Sequence, residues 1–65
     1  MEYINKIIDL VKPRTIRPYK GGVELRGINI DTAKEEISNA IESNQWPVEI
    51  FDTDVRLKSI SIRQK

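Results

Sequence analysis

Apolar residues fall in two different periods along the chain, and the change of period divides it into elements. Ile4, Ile7, Ile8 and Val11 recur at i, i+3, i+4 and i+7, with Glu2, Asn5, Lys6 and Asp9 on the opposite side, which predicts an amphipathic helix over about residues 2–12. Glu2 stands four residues before Lys6, the favourable order for a helical ion pair, and Pro13 disfavours helical geometry at Lys12. Beyond Arg14 the pattern shortens to Thr15, Ile16 and Arg17 before Pro18, then Val23, Glu24, Leu25 and Arg26 after Gly21 and Gly22. The adjacent glycines offer the positive φ angles of a tight hairpin. Pro18 cannot donate to a ladder, so the first strand is expected to be short and to lie at an edge. Val23 and Leu25 differ in parity from Ile28 and Ile30, and a bulge at Gly27 would restore both pairs to one side.

A second helix is expected to open at Asp31 or Thr32, with Thr32 and Glu35 forming a capping box and Glu36 adding negative charge to the first turn. Ala33, Ile37, Ala40, Ile41 and Asn44 mark its inner stripe, and Pro47 places its end near Asn44. Val48 to Phe51 then alternate as a strand. Asp52, Thr53 and Asp54 read as a turn, and Val55 to Arg63 as a longer strand with an irregularity near Lys58 or Ser59. The last residues are expected to fray.

The order helix, strand, strand, helix, strand, strand predicts a small two-layer α+β fold, one domain over residues 1–65, with a mainly antiparallel sheet and both helices on one face. That order is a circular permutation of the split β-α-β unit, whose open sheet face hosts many functions. Eleven isoleucines and four valines against two alanines favour strands over an all-helical bundle. A 65-residue chain buries only about 60% of its unfolded surface and is stable by about 3 to 10 kcal/mol, so association with a second copy is a natural support.

Absence of Cys and His removes disulfides, thiolate or imidazole metal sites, Cys nucleophiles and His bases. Nothing local suggests that Ser, Tyr, Lys or carboxylates form a catalytic site. The chain reads as a non-enzyme with no cofactor, no metal and no small-molecule substrate. It has neither a spanning segment nor the apolar stretch of a secretory signal, and is read as soluble and cytoplasmic, without a membrane partner. The first helix lacks the basic face of a membrane-surface helix. Glu49, Asp52 and Asp54 could gather a hard cation, but a calcium loop would require an oxygen ligand at Arg56 and a glycine at Leu57, and an Asx-bonded turn fits better. Gly21 and Gly22 lack the following helix of a phosphate loop.

Charge is nearly balanced overall, at +1, but unevenly placed: +4 over residues 12–26, −6 over 31–54 and +4 over 55–65. If alternation holds, the face away from the helices gathers Arg17, Glu24, Arg26, Glu49, Phe51, Arg56, Lys58, Ser61 and Arg63, leaving Glu35, Glu36 and Glu42 on the helix side. A bipolar molecule follows, with two functional expectations. The first is an accessory protein that binds another protein or itself as a homodimer, with Tyr3, Trp46 and Phe51 as interface anchors. Core capping is the plainer role for Trp46. The second is nucleic-acid binding, with Arg14, Arg17, Lys20, Arg26, Arg56, Lys58 and Arg63 on phosphates and Tyr19 and Phe51 stacking on bases. Few aromatics and the absence of a standard nucleic-acid motif argue against the second.

Overall fold

The computed structural model describes residues 2–65, with side chains from Tyr3 onward. Helix α1 spans Glu2–Val11, strand β1 Thr15–Tyr19, β2 Gly22–Arg26, helix α2 Ile30–Asn44, β3 Val48–Asp54 and β4 Ser59–Gln64. The expected element order is therefore found in an α+β fold. The strands form one antiparallel sheet in the order β1-β2-β4-β3. Both β2 and β3 run antiparallel to the β4 between them, so β2-α2-β3 is a split β-α-β unit.

Ile4 and Ile7 of α1, and Ala33 and Ile37 of α2, share one buried cluster with Val23, Leu25, Val48, Ile60 and Ile62. The cross-strand partners Val23↔Ile62, Leu25↔Ile60 and Ile50↔Ile62 put these strand residues on one side of the sheet. Both helices therefore cover the same face. The stripe of α1 works as the spacing predicts, with Ile8 and Val11 half-buried at its margin. Lys12 leaves the helix in the left-handed region, φ 49°, and its N–H still donates to Ile8 O at 2.8 Å. The expected pairing of Glu2 with Lys6 involves a side chain outside the described residues.

Of the two hairpin glycines, only Gly21 takes a positive φ, 86°. Gly22 is already in β2 and is needed for space: a Cβ there would overlap Ile62 O and reach 3.0 Å from Arg63 Cα and the Tyr19 hydroxyl. Strand β1 continues through Pro18 to Tyr19 and is an edge strand. Tyr19↔Gly22 closes the hairpin, so alternation from that pair directs residues 15, 17 and 19 to bond with β2 and turns Pro18's missing donor toward the free edge. Gly27, at φ 76°, and Ile28 both donate to Lys58 O, at 3.0 and 3.2 Å. Two residues opposing one form the expected bulge, and Ile28 is returned to the core, whereas Ile30, expected on the same side, is the half-buried first residue of α2 and lies outside the core cluster.

Three boundaries differ from the sequence reading. Helix α2 is capped by Asn29, whose Oδ1 accepts from Thr32 N at 3.1 Å while Ala33 N donates to Asn29 O. Ile30 and Asp31 are consequently inside the helix, and Thr32 contributes its backbone rather than a capping side chain. Asn44 is exposed instead of completing the inner stripe, its amide donating to Ala40 O at 2.8 Å. Strand β3 runs on to Asp54, because a register shift between Ile50 and Asp52 leaves Phe51 as an extra residue and brings Asp52 and Asp54 opposite Ser61 and Ser59. The turn falls at 55–58 instead, where Leu57 N donates to Asp54 Oδ1 and Lys58 adopts φ 50°. Val55 and Leu57, 80% and 44% exposed, are thus loop residues, which removes the parity conflict with Ile60 and Ile62. The C-terminus is tied down, with Lys65 N donating to Pro47 O at 3.0 Å.

Replacing Asn29 with alanine tests the corrected cap. Loss of the bond to Thr32 N should lower stability by about 1 kcal/mol, read by chemical denaturation. Thr32→Ala, under the capping-box expectation the damaging change, should have the smaller effect.

Candidate interaction surface on the uncovered sheet

The side of the sheet away from the helices is built as three cross-strand rows. Thr15, Arg26, Ser59 and Asp54 form the first. Arg17, Glu24, Ser61 and Asp52 form the second, and Tyr19, Gly22, Arg63 and Glu49 the third. Phe51 joins this face from the bulge. Ser59 and Ser61 are buried even here, so small hydroxyls floor a middle lane flanked by longer side chains.

The third row carries the apolar part of the face. Gly22 leaves room for Tyr19 to lie across β2, and the Tyr19 hydroxyl donates to Ile62 O at 3.3 Å on β4. The Tyr19 and Phe51 rings meet nearly edge to face, with centroids 5.8 Å apart, a favoured aromatic geometry. The Arg63 guanidinium stands 4.9 Å from the Phe51 ring centroid while its Nε approaches Glu49 Oε1 at 3.3 Å. Tyr19 and Phe51 nevertheless remain 39% and 42% exposed. Desolvation raises the Tyr19 phenol above its ordinary 10.0, against the opposing charge of Arg63, with Glu24 and Asp52 adding to the rise.

That direction predicts a titration. In a Tyr3→Phe background, phenolate absorbance from Tyr19 should appear with a midpoint above 10.0. Because the folded chain holds this proton more tightly than the unfolded one, its contribution is complete below pH 10.0 and is lost as pH rises from there through the folded-state value. A midpoint at or below 10.0 in the folded protein would show that the charge of Arg63 outweighs desolvation at this hydroxyl.

The basic surface expected from the sequence is not formed. Arg17, Arg26 and Arg63 do share the uncovered face, but Glu24, Glu49, Asp52 and Asp54 interleave with them. Arg26 Nε binds Glu24 Oε1 at 2.7 Å. Arg56 and Lys58 belong to the β3–β4 loop, Lys20 to the hairpin at the other end of the sheet, and Arg14 packs its stem against Gly27. The carboxylates of Glu49, Asp52 and Asp54 are not gathered at one point, and no group of three or more potential metal ligands occurs among the described residues.

The three aromatic anchor candidates are also divided. Tyr3 and Trp46 pack against the helix-side core with ring centroids 6.1 Å apart, and Lys6 Nζ lies 5.9 Å from the Trp46 centroid. Both therefore close one end of the core, and Phe51 alone of the three lies on the open face. Its companion Tyr19 was legible in sequence only as a stacking candidate. What the sequence could have offered was the Tyr-x-x-Gly spacing, which places a ring beside a residue with no side chain. A second concavity, an open groove of about 960 Å³ between α2 and β3, includes Ile41, Trp46, Ile50 and Lys65 in its lining.

Comparison with known proteins gives no counterpart for this arrangement: no family model, no curated protein and no solved structure matches the chain.

Proposed function

We propose that this chain is a non-catalytic accessory protein, cytoplasmic in location, that works by binding protein through its uncovered sheet face. The observation that carries the reading is the Tyr19–Phe51 pair, fixed in place by Gly22, Ile62 O and Arg63 yet left well exposed. Ordered aromatic side chains supply large contact area at low entropic loss and dominate binding energy where they recur. Interleaved charges around them give a polar rim that selects a complementary partner. No helix among the described residues is long and apolar enough to cross a membrane.

The test is capture of a partner from native lysate by the purified chain, with Phe51→Ala as the comparison. Phe51 is at the surface, so the variant should fold, as checked by circular dichroism, and lose the captured protein. Equal capture by both would refute this use of the face.

A second reading rests on Arg63 stacked on Phe51 beside Tyr19, which is the kind of platform that holds an unpaired base. Four carboxylates on the same face oppose a phosphate backbone, so protein binding is favoured. Binding of single-stranded RNA or DNA that weakens steeply with salt and disappears in Phe51→Ala would reverse that preference.

A further inference from the structure

The middle row of the uncovered face ends in two unmatched charges of opposite sign. Arg17 lies on edge strand β1, Asp52 on edge strand β3, and the register Arg17↔Glu24↔Ser61↔Asp52 places them in line across the sheet. Among the described residues neither takes part in an ion pair, whereas Glu24 pairs with Arg26 and Glu49 with Arg63. Three interstrand steps separate them by about 14 Å, too far to meet within one molecule.

A second copy stacked on this face would be related by a twofold axis between the two sheets, directed either across the strands or along them. With the axis across the strands, β1 lies on β1 of the second copy, so Arg17 opposes Arg17 and Asp52 opposes Asp52. With the axis along the strands, β1 lies over β3 of the second copy. Arg17 then meets Asp52 of the second copy, and Asp52 meets its Arg17, in an isologous pair of contacts. In the other rows the same rotation sets Thr15 opposite Asp54, Arg26 opposite Ser59, Tyr19 opposite Glu49 and Gly22 opposite Arg63 of the second copy. No like charges are opposed, so Arg17 and Asp52 form the one opposite-charge match between facing rows.

We infer that the partner of this face is a second copy of the chain, stacked sheet to sheet about a twofold parallel to the strands, with Arg17 and Asp52 setting the register. This rests on the reading of the face as a protein-binding surface and names its occupant. The face measures about 19 Å across four strands and about 20 Å along them. That is about 380 Å² of each copy, below the area of a stable specific interface, so the contact is a weak one in which charge matching decides orientation. Aligned sheets pack about 10 Å apart, which long side chains such as Arg17 and those of the Tyr19–Phe51 pair can span.

Sedimentation equilibrium of the 65-residue chain should give twice its 7.5 kDa mass at high concentration. Arg17→Glu alone and Asp52→Lys alone should each weaken the dimer at least tenfold, since each introduces two like-charge contacts. Both positions are exposed, and circular dichroism verifies the fold of each variant. Mixing the two single variants should restore association as a heterodimer, and the double variant Arg17→Glu/Asp52→Lys should dimerise with itself. A wild-type monomer at about 1 mM would overturn the inference, as would unchanged or tighter association of Arg17→Glu, or mixed variants that remain apart. Failure here is separable from failure of the proposed function: a monomer whose capture of a different protein is abolished by Phe51→Ala leaves the face a binding surface and removes only self-association.

Discussion

Gly22→Ala is expected to destabilise the chain by at least about 3 kcal/mol and to leave little cooperative unfolding in a thermal scan. The added Cβ would overlap Ile62 O and approach Arg63 Cα at 3.0 Å. These are backbone atoms of the central strand β4, bonded on both sides, so the neighbours cannot yield by a rotamer change. The Tyr19 hydroxyl would also be driven from the ladder it rests on. Named steric conflicts of this kind populate the severe end of mutational effects, and a chain of this length has about 3 to 10 kcal/mol in total. At Gly21, by contrast, a Cβ meets nothing within 4 Å, and the only obstacle is φ 86°. Gly21→Ala should therefore lower stability by about 1 to 2 kcal/mol. Equal melting of the two variants would show that Gly22 is a simple turn residue.

Leu25→Ala should lower stability by about 3 to 5 kcal/mol, measured by urea unfolding with an unchanged slope. Leu25 is fully buried, paired with Ile16 on one side and Ile60 on the other, in the cluster that receives both helices. Truncation removes its transfer energy and leaves a space that a two-layer core bounded by α1 and α2 cannot collapse to fill. Val55→Ala supplies the contrast, since that side chain is 80% exposed and its loss should stay within about 0.5 kcal/mol. If the two substitutions had similar effects, the core would lie elsewhere.

Element order and both helix stripes were legible because each rests on repetition: Ile4, Ile7 and Ile8 specify a face over several turns, as do Ala33 and Ile37. The Gly27 bulge was legible too, since a glycine marks the position where parity changes. The Phe51 bulge carries no such mark. Ile50 and Phe51 are both good strand residues, and only pairing with β4 reveals that one is supernumerary. Once it is missed, Asp52-Thr53-Asp54 satisfies turn chemistry on its own terms, although Asp54 alone plays that role, and from the end of a strand. Misplacing this boundary also produced the basic face: it moved Asp52 and Asp54 off the sheet and put Arg56 and Lys58 onto it. The cap of α2 was missed because Asn29, Asp31 and Thr32 are all competent N-caps, and only the backbone shows that Asn29, at φ −79° and ψ 106°, is the one held in extended geometry. Tyr19 and Phe51 come together only through the sheet order, which no local pattern records.

The two outer strands have a bearing on how copies of this chain can grow together. An isoleucine-rich sheet with bare margins is a template for fibrils, yet here each margin is spoiled: Pro18 withholds a donor at one, and the Phe51 irregularity breaks the spacing of the other. Ladder extension from molecule to molecule is thereby discouraged at either side. Assembly is directed to flat surfaces, where a twofold closes after one addition and the count of subunits stays finite.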